Sequence, residues 1–228
     1  MVLGLHQVFF SQNWLQEGLV GVVVFIYILS VVYGTKLSYG YFKSRNLSDS
    51  VAKYYNRKII HIFAGGVPTI IFSIFFSAVT IPLILVFLIA LLIYIPHKTG
   101  KLFYWFQVKE NMYEVNFVVA WGMAIGLSWV FTGTPLYGVV PAVFMSFGDG
   151  VTGIVRNTVF KKRTKSWLGN IAMLCVCIPI GYYYVGWLGI IVAIVASVAE
   201  HFEFGIIDDN ILITISSFIA LLLLVPVA

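Results

Sequence analysis

Long apolar runs alternate with short polar interruptions along almost the whole chain. A helix needs roughly 20 apolar residues to cross the hydrocarbon layer of a membrane. Turn residues and charges delimit runs of about that kind near 17–36, 59–76, 79–95, 117–132, 135–155, 169–185, 186–200 and 211–227. The pattern predicts an all-α, polytopic membrane helix bundle with seven or eight transmembrane helices. The run at 186–200 is short, so it is expected to be tilted, re-entrant, or to end in a water-filled cleft. Little polar sequence is left for a separate soluble domain. Residues 1–228 therefore read as one integral membrane domain whose chemistry is confined to segments near 53–61, 148–169 and 200–210.

Composition agrees with that pattern. Of 228 residues, 61% are hydrophobic and 10% charged, against about 25% charged in soluble domains, which excludes a water-soluble fold. The first 35 residues carry no Lys or Arg. The basic start of a secretory signal peptide is thus missing, residues 19–35 read as a retained first span, and the amino terminus is expected on the non-cytoplasmic side. Cys175 and Cys177 sit two apart in an apolar run and point to different helix faces, implying neither a disulfide nor a metal clip.

Charge changes the picture more. All fourteen basic residues fall in three segments: Lys36 to Lys58, Lys98 to Lys109, and Arg156 to Lys165. An eight-span arrangement puts all three on one side, and the basic-loop rule makes that side cytoplasmic. The turns near Ser77, Gly133 and Val185 carry no charge, and every acid except Glu17 lies on or near the basic side. Topology alone accounts for the net charge of +5, but not for the acids set beside the basic loops. A mixed face of that kind suits a polyanion bound with a divalent metal. No internal repeat supports an inverted-repeat transporter.

Four clusters could carry chemistry. Ser146 to Arg156 ends an apolar run with Asp149 between Gly148 and Gly150. A carboxylate near a membrane costs several kcal/mol and faces a partner or a polar cavity, so Asp149 reads either as the partner of a nearby Arg or Lys or as a Mg²⁺ ligand. Gly148, Gly150 and Gly153 would let another backbone or a phosphate approach closely. The basic run Lys161-Lys162-Arg163-Thr164-Lys165 leads into Ser166-Trp167-Leu168-Gly169-Asn170, where cations and the start of a helix make an anion site. Ser166 serves equally as a helix cap. Glu200 is followed by Asp208-Asp209-Asn210; Asp209 or Asn210 could cap the last helix, and Asp149, Glu200, Asp208 and Asp209 could together hold one or two Mg²⁺ ions. At the start of the second span, Arg57 and His61 are four apart and share a face, with Lys58 roughly 100° round the helix; His61 reads as a structural hydrogen-bonder or as a group that takes a hydroxyl proton.

Two further segments read as surface. His97-Lys98-Thr99-Gly100-Lys101 lacks the full phosphate-loop pattern and a preceding strand. Lys98, Lys101, Tyr104 and Trp105 are expected to form an interfacial amphipathic stretch, and Glu110 and Glu114 a solvated face of the same loop. Gly122-x3-Gly126 permits close helix packing, and a homo-oligomer is allowed by it.

From Asn56 to Ser217 these clusters, in this order, resemble the CTP-dependent polyprenol kinases, the membrane family of phytol kinase and dolichol kinase. The resemblance rests on Arg57-Lys58 with His61, Gly148-Asp149-Gly150, Lys165-Ser166-Trp167 with Gly169, and Glu200 followed by Asp208-Asp209-Asn210. It departs from the family pattern at Thr152, at Arg156-Asn157 and at Leu168-Gly169-Asn170.

The resemblance implies transfer of the γ-phosphoryl group of CTP to a long isoprenoid alcohol, with Mg²⁺ as cofactor and the active site at the cytoplasmic face. By position it makes Asp149 the acidic residue and Lys165 the terminal lysine of the nucleotide site. The expected catalytic residues are His61, Asp149 and Lys165. Arg57, Lys58, Gly148, Gly150, Lys162, Arg163, Ser166, Gly169 and Asn210 are expected at the nucleotide and phosphates, and Asp149, Glu200, Asp208 and Asp209 at the metal. Expected partners are the alcohol, the triphosphate and the lipid bilayer, and not nucleic acid. Two other readings stay open on the residues alone: a cytidylyltransferase that makes a CDP-activated lipid, and a small transporter for an anionic metabolite.

Overall fold

A computed structural model describes residues 8–226. The extreme amino terminus and the last residue of the expected span 211–227 lie outside the described residues.

Among the described residues the chain forms eight long helices and no sheet: α1 (Trp14–Ser44), α2 (Asp49–Phe75), α3 (Thr80–Thr99), α4 (Tyr113–Thr132), α5 (Leu136–Phe160), α6 (Trp167–Val185), α7 (Trp187–Glu200) and α8 (Asp209–Leu224). Helices α1 to α6 are long and apolar enough to cross a membrane, while α7 and α8, with 14 and 16 residues, are shorter. The chain is therefore an all-helical, multi-pass membrane protein with six helices of full crossing length.

Three boundaries differ from the apolar runs by five residues or more, and all three move charge inside helices. Helix α2 starts at Asp49, capped by Ser48, whose side chain accepts from the Val51 amide. Its first turns bury Val51, Ala52 and Tyr54, so an apolar stripe extends the helix well before the continuous apolar run begins. Arg57, Lys58 and His61 thus lie inside the helix rather than at its start. Helix α5 continues to Phe160, which leaves Asp149 near its middle rather than at its end. Helix α1 runs on to Ser44, past the end of its apolar run.

Packing produces three buried clusters. One joins α4 through α8, a second lies towards the end of the bundle opposite the basic loops around Phe72, Trp129 and Val139, and a third ties α1, α2 and α3 to the segment 103–106. That last segment corrects the amphipathic-surface expectation. Trp105 and Phe106 are buried, Trp105 donates to the Val32 carbonyl at 3.0 Å, and Gln107 donates to the Ile93 carbonyl at 2.8 Å. The loop folds back because its aromatic rings bury area that helices α1 to α3 leave open; Tyr104 alone of the ring residues named for it stays exposed. Gly122 and Gly126 pack against Val86 and Leu83 of α3, so this small-residue motif is used within the chain. Cys175 is exposed and Cys177 buried, both free.

Two π-helical turns interrupt the regular helices, His61–Gly66 in α2 and Phe144–Gly148 in α5. They face one another across the bundle. Such turns insert an extra residue and re-aim side chains, and here each abuts a charged or ionisable residue: His61 opens the first and Asp149 follows the second.

Candidate active site at the basic end of the bundle

Asp149 is 1% exposed and is held by α2. The Lys58 ammonium donates to both its oxygens, at 2.7 and 2.6 Å. His61 Nδ1 lies 3.1 Å from Asp149 Oδ2, but not in the direction of a hydrogen bond. Close approach of α2 to α5 depends on glycines: a Cβ at Gly150 would press on Ile62, and one at Gly153 would overlap the Lys58 side chain.

A second pair crosses from α5 to α7. Arg156 donates from Nη1 and Nη2 to Glu200 at 2.6 and 2.9 Å, and its remaining donors reach the Ser166 carbonyl and Asn170 Oδ1 at 2.8 Å. This fork-to-carboxylate geometry is the strong form of a charge-assisted pair. A Cβ at Gly169 would overlap the guanidinium, so Gly169 is the residue at which α6 lets Arg156 through.

Lys165 completes the ring. Its ammonium donates to Asp209 Oδ2 at 2.6 Å, to the Glu200 carbonyl at 2.7 Å and to Glu200 Oε1 at 3.2 Å. Burial works against its charge, yet Asp209 and Glu200 outweigh that and hold its pKa above the ordinary lysine value. Asp149, Glu200 and Asp209 each offer a carboxylate oxygen within 4.8 Å of the others. Three helices, α5, α7 and α8, thus bring three carboxylates to one point, faced by Lys58, Arg156 and Lys165.

Arg163 stands at the rim. It donates to Glu203 at 2.7 Å and lies over the Tyr113 ring, whose hydroxyl also donates to Glu203. Burial opposes its charge, and Asp209 and Glu203 raise its pKa above the ordinary value.

Comparison with family models, with curated proteins and with solved structures gives no match for this chain.

The expected residues fall into two groups. Lys58, His61, Asp149, Lys165, Glu200 and Asp209 meet at the site. The others take different places. Arg57 turns away from Asp149 towards Asn111 Oδ1, at 3.4 Å, and the Tyr54 and Tyr113 rings. Asp208 stands outside the trio and caps α8, accepting from the Ile211 amide at 3.1 Å; the capping role considered for Asp209 or Asn210 belongs to it. Asn210 donates to Asp208 Oδ2 at 3.1 Å. Ser166 caps α6, accepting from the Leu168 amide. Gly148 and Gly150 admit Cys177 and Ile62 of neighbouring helices, and Lys162 is exposed in its loop.

Sequence reasoning missed Arg156 and Asn170 as site residues. Asp149, Thr152 and Arg156 recur at helical spacing and share one face, which is the signal that identifies Arg156. Thr152 follows it, donating to the Gly148 and Gly169 carbonyls at 2.9 and 3.1 Å. Glu114 is also misplaced by a solvated-face reading: it is 5% exposed and bonded to His97 at 2.6 Å.

Proposed function

We propose that this protein is a membrane phosphotransferase that moves the γ-phosphoryl group of a nucleoside triphosphate, CTP by resemblance, onto the hydroxyl of a long isoprenoid alcohol. In this reading α7 and α8 also pass through the bilayer, the basic end faces the cytoplasm, and the amino-terminal end faces away. One observation carries it: carboxylates from three helices converge within 4.8 Å of one another inside a ring of cations.

The donor set suits Mg²⁺, a hard cation that takes carboxylate and phosphate oxygens. Asp149, Glu200 and Asp209 would hold it, and when bound it neutralises charge on the phosphates and orients them. Three cations already face the three carboxylates, so a divalent ion enters most readily together with an anionic ligand such as a triphosphate.

Phosphoryl transfer passes through a loose transition state in which positioning and charge neutralisation do most of the catalysis. Lys165 and Arg163, on the loop before α6, stand where they can follow the phosphate oxygens, and Lys58 fixes Asp149. The alcohol oxygen bonds to the γ-phosphorus as the bond from that phosphorus to the β–γ bridging oxygen breaks. The electron pair leaves with the nucleoside diphosphate, and the hydroxyl proton passes to His61, whose Nδ1 is buried without a hydrogen bond.

The test is an assay of purified protein with γ-labelled CTP, Mg²⁺ and geranylgeraniol or phytol. Label is expected in the lipid with release of CDP, and Asp149→Asn is expected to lower the rate by at least about a hundredfold, as for lost electrostatic groups elsewhere. Unchanged turnover in Asp149→Asn would falsify the site. Release of pyrophosphate in place of CDP would make the protein a nucleotidyl transferase.

A further inference from the structure

Helices α1 to α4 enclose an apolar cavity that the carboxylate site does not account for. It runs beside α2 from Arg57 and His61 to Phe76, a path of about 28 Å at the rise of a helix, close to the roughly 30 Å depth of bilayer hydrocarbon. Its walls include Ala64, Leu85, Ile89 and Trp121, with Phe72 and Phe76 at the far end. The Trp121 indole nitrogen is satisfied by Thr69, at 2.6 Å.

Only the near end is polar, and there the cavity meets Arg57, His61 and Glu114. Glu114 is buried, His97 holds one of its oxygens at 2.6 Å, and the other, Oε2, has no hydrogen-bond partner. A buried, unpaired carboxylate oxygen is costly, and a donor that reaches it recovers much of that cost. His61 joins this end to the carboxylate site. Its ring borders the cavity and stacks on Phe117 of α4, centroids 4.0 Å apart, while Nδ1 stands 3.1 Å from Asp149.

We propose that this cavity seats the hydrocarbon chain of the phosphoryl acceptor and that, before nucleotide binds, Glu114, positioned by His97, accepts the hydrogen bond from its hydroxyl, which turns to His61 at the same end of the cavity when its proton is transferred. The inference rests on the phosphotransferase reading and specifies where its second substrate lies. The chemistry of the head selects the ligand class. A fatty carboxylate or a phospholipid phosphate brings only further acceptors to Glu114, whereas a neutral alcohol brings the donor that Oε2 lacks.

The test measures binding without nucleotide, so it is independent of phosphate transfer. Purified protein in lipid nanodiscs is titrated with a photoreactive geranylgeraniol, with the hydrocarbon of the same length, and with the matching carboxylic acid. In wild type the alcohol is expected to bind about tenfold more tightly than the hydrocarbon, the worth of one hydrogen bond to a charged acceptor, and more tightly than the acid. Cross-links are expected on α2 to α4 at residues such as Leu85 and Ile89. Glu114→Leu is expected to abolish the preference for alcohol over hydrocarbon, a ratio insensitive to partial loss of folded protein, and Ala64→Phe to weaken both ligands by filling the cavity. Cross-links confined to other surfaces, or an alcohol preference that survives Glu114→Leu, would overturn the assignment. Binding as described with no phosphate transfer to any alcohol would leave the cavity assigned and remove the enzymatic reading alone.

Discussion

Arg156 of α5 and Glu200 of α7 form a two-pronged ion pair in which both residues are 1% exposed. The pair locks two helices whose residues lie 44 positions apart and sets the Glu200 carboxylate beside Asp149 and Asp209. Removing one partner leaves the other charge buried. Arg156→Met is therefore expected to destabilise the protein by about 3–5 kcal/mol, read as a lowered thermal midpoint in detergent. The double variant Arg156→Met with Glu200→Gln should recover part of that loss, because no unpaired charge remains, yet stay inactive. A double variant no more stable than the single one would show that the pair does not carry the effect.

Glycines on α5 and α1 should respond in opposite directions. At Gly153 an added methyl would overlap Lys58, whose ammonium is tied to Asp149, so the side chain cannot simply swing aside. Gly153→Ala is expected to cost about 1–3 kcal/mol through overpacking and to lower phosphate transfer by displacing Lys58. Gly34, inside α1, has open space around the same position. Gly34→Ala should stabilise by about 0.5–1 kcal/mol through helix propensity and leave turnover alone. Thermal midpoints of the two variants beside wild type check both signs.

The helical class and the gathering of charge at one end are legible in the sequence because apolar run length and basic loops are local signals. Convergence of Asp149, Lys165, Glu200 and Asp209 can be anticipated, since a shared chemistry gives distant acids and bases a reason to meet. Which cation serves which carboxylate cannot. Lys58 reaches Asp149 across 91 residues, and the geometry depends on two π-helical turns that no spacing rule announces. Reasoning from sequence neighbours fails for the same cause: Arg156 reads as a departure from the family pattern, whereas Gly169, thirteen positions on, leaves the space that receives it. Glu114 looks solvated in the sequence because its partner, His97, lies on the preceding helix, and pairing across a folded-back loop leaves no periodic trace.

Asp208 gives the stability a pH dependence with a definite sign. Burial first, and then the charge of Asp209, push its carboxyl up to about 6 from an ordinary 3.8. The folded protein thus holds this proton more tightly than the unfolded chain does. The resulting stabilisation is complete below pH 3.8 and is lost as pH rises through about 6, a change on the order of 3 kcal/mol. Asp208→Asn keeps a good helix cap and removes the titration. In chelator, so that no divalent ion competes, the fall in thermal midpoint between about pH 4.5 and 7 should be smaller in the variant than in wild type; parallel profiles would rule out Asp208 as the source.

Glu17, the one acid away from the basic end, separates architecture from chemistry. It is 2% exposed, and its Oε1 accepts from the Ser11 hydroxyl at 2.6 Å and from the Ser77 amide and hydroxyl at 2.8 and 2.6 Å. These bonds tie the start of α1 to the turn between α2 and α3, where the Ser77 amide would otherwise lack an acceptor. Hydrogen bonds to a charged acceptor contribute about 1.5–3 kcal/mol each, and glutamine keeps an acceptor of the same shape without the charge. Glu17→Gln is therefore expected to lower stability by about 1–3 kcal/mol while kcat and the KM values for triphosphate and alcohol stay at wild-type levels. A variant that folds as well as wild type but loses turnover would place chemistry at this end of the bundle and count against a single site at the basic end.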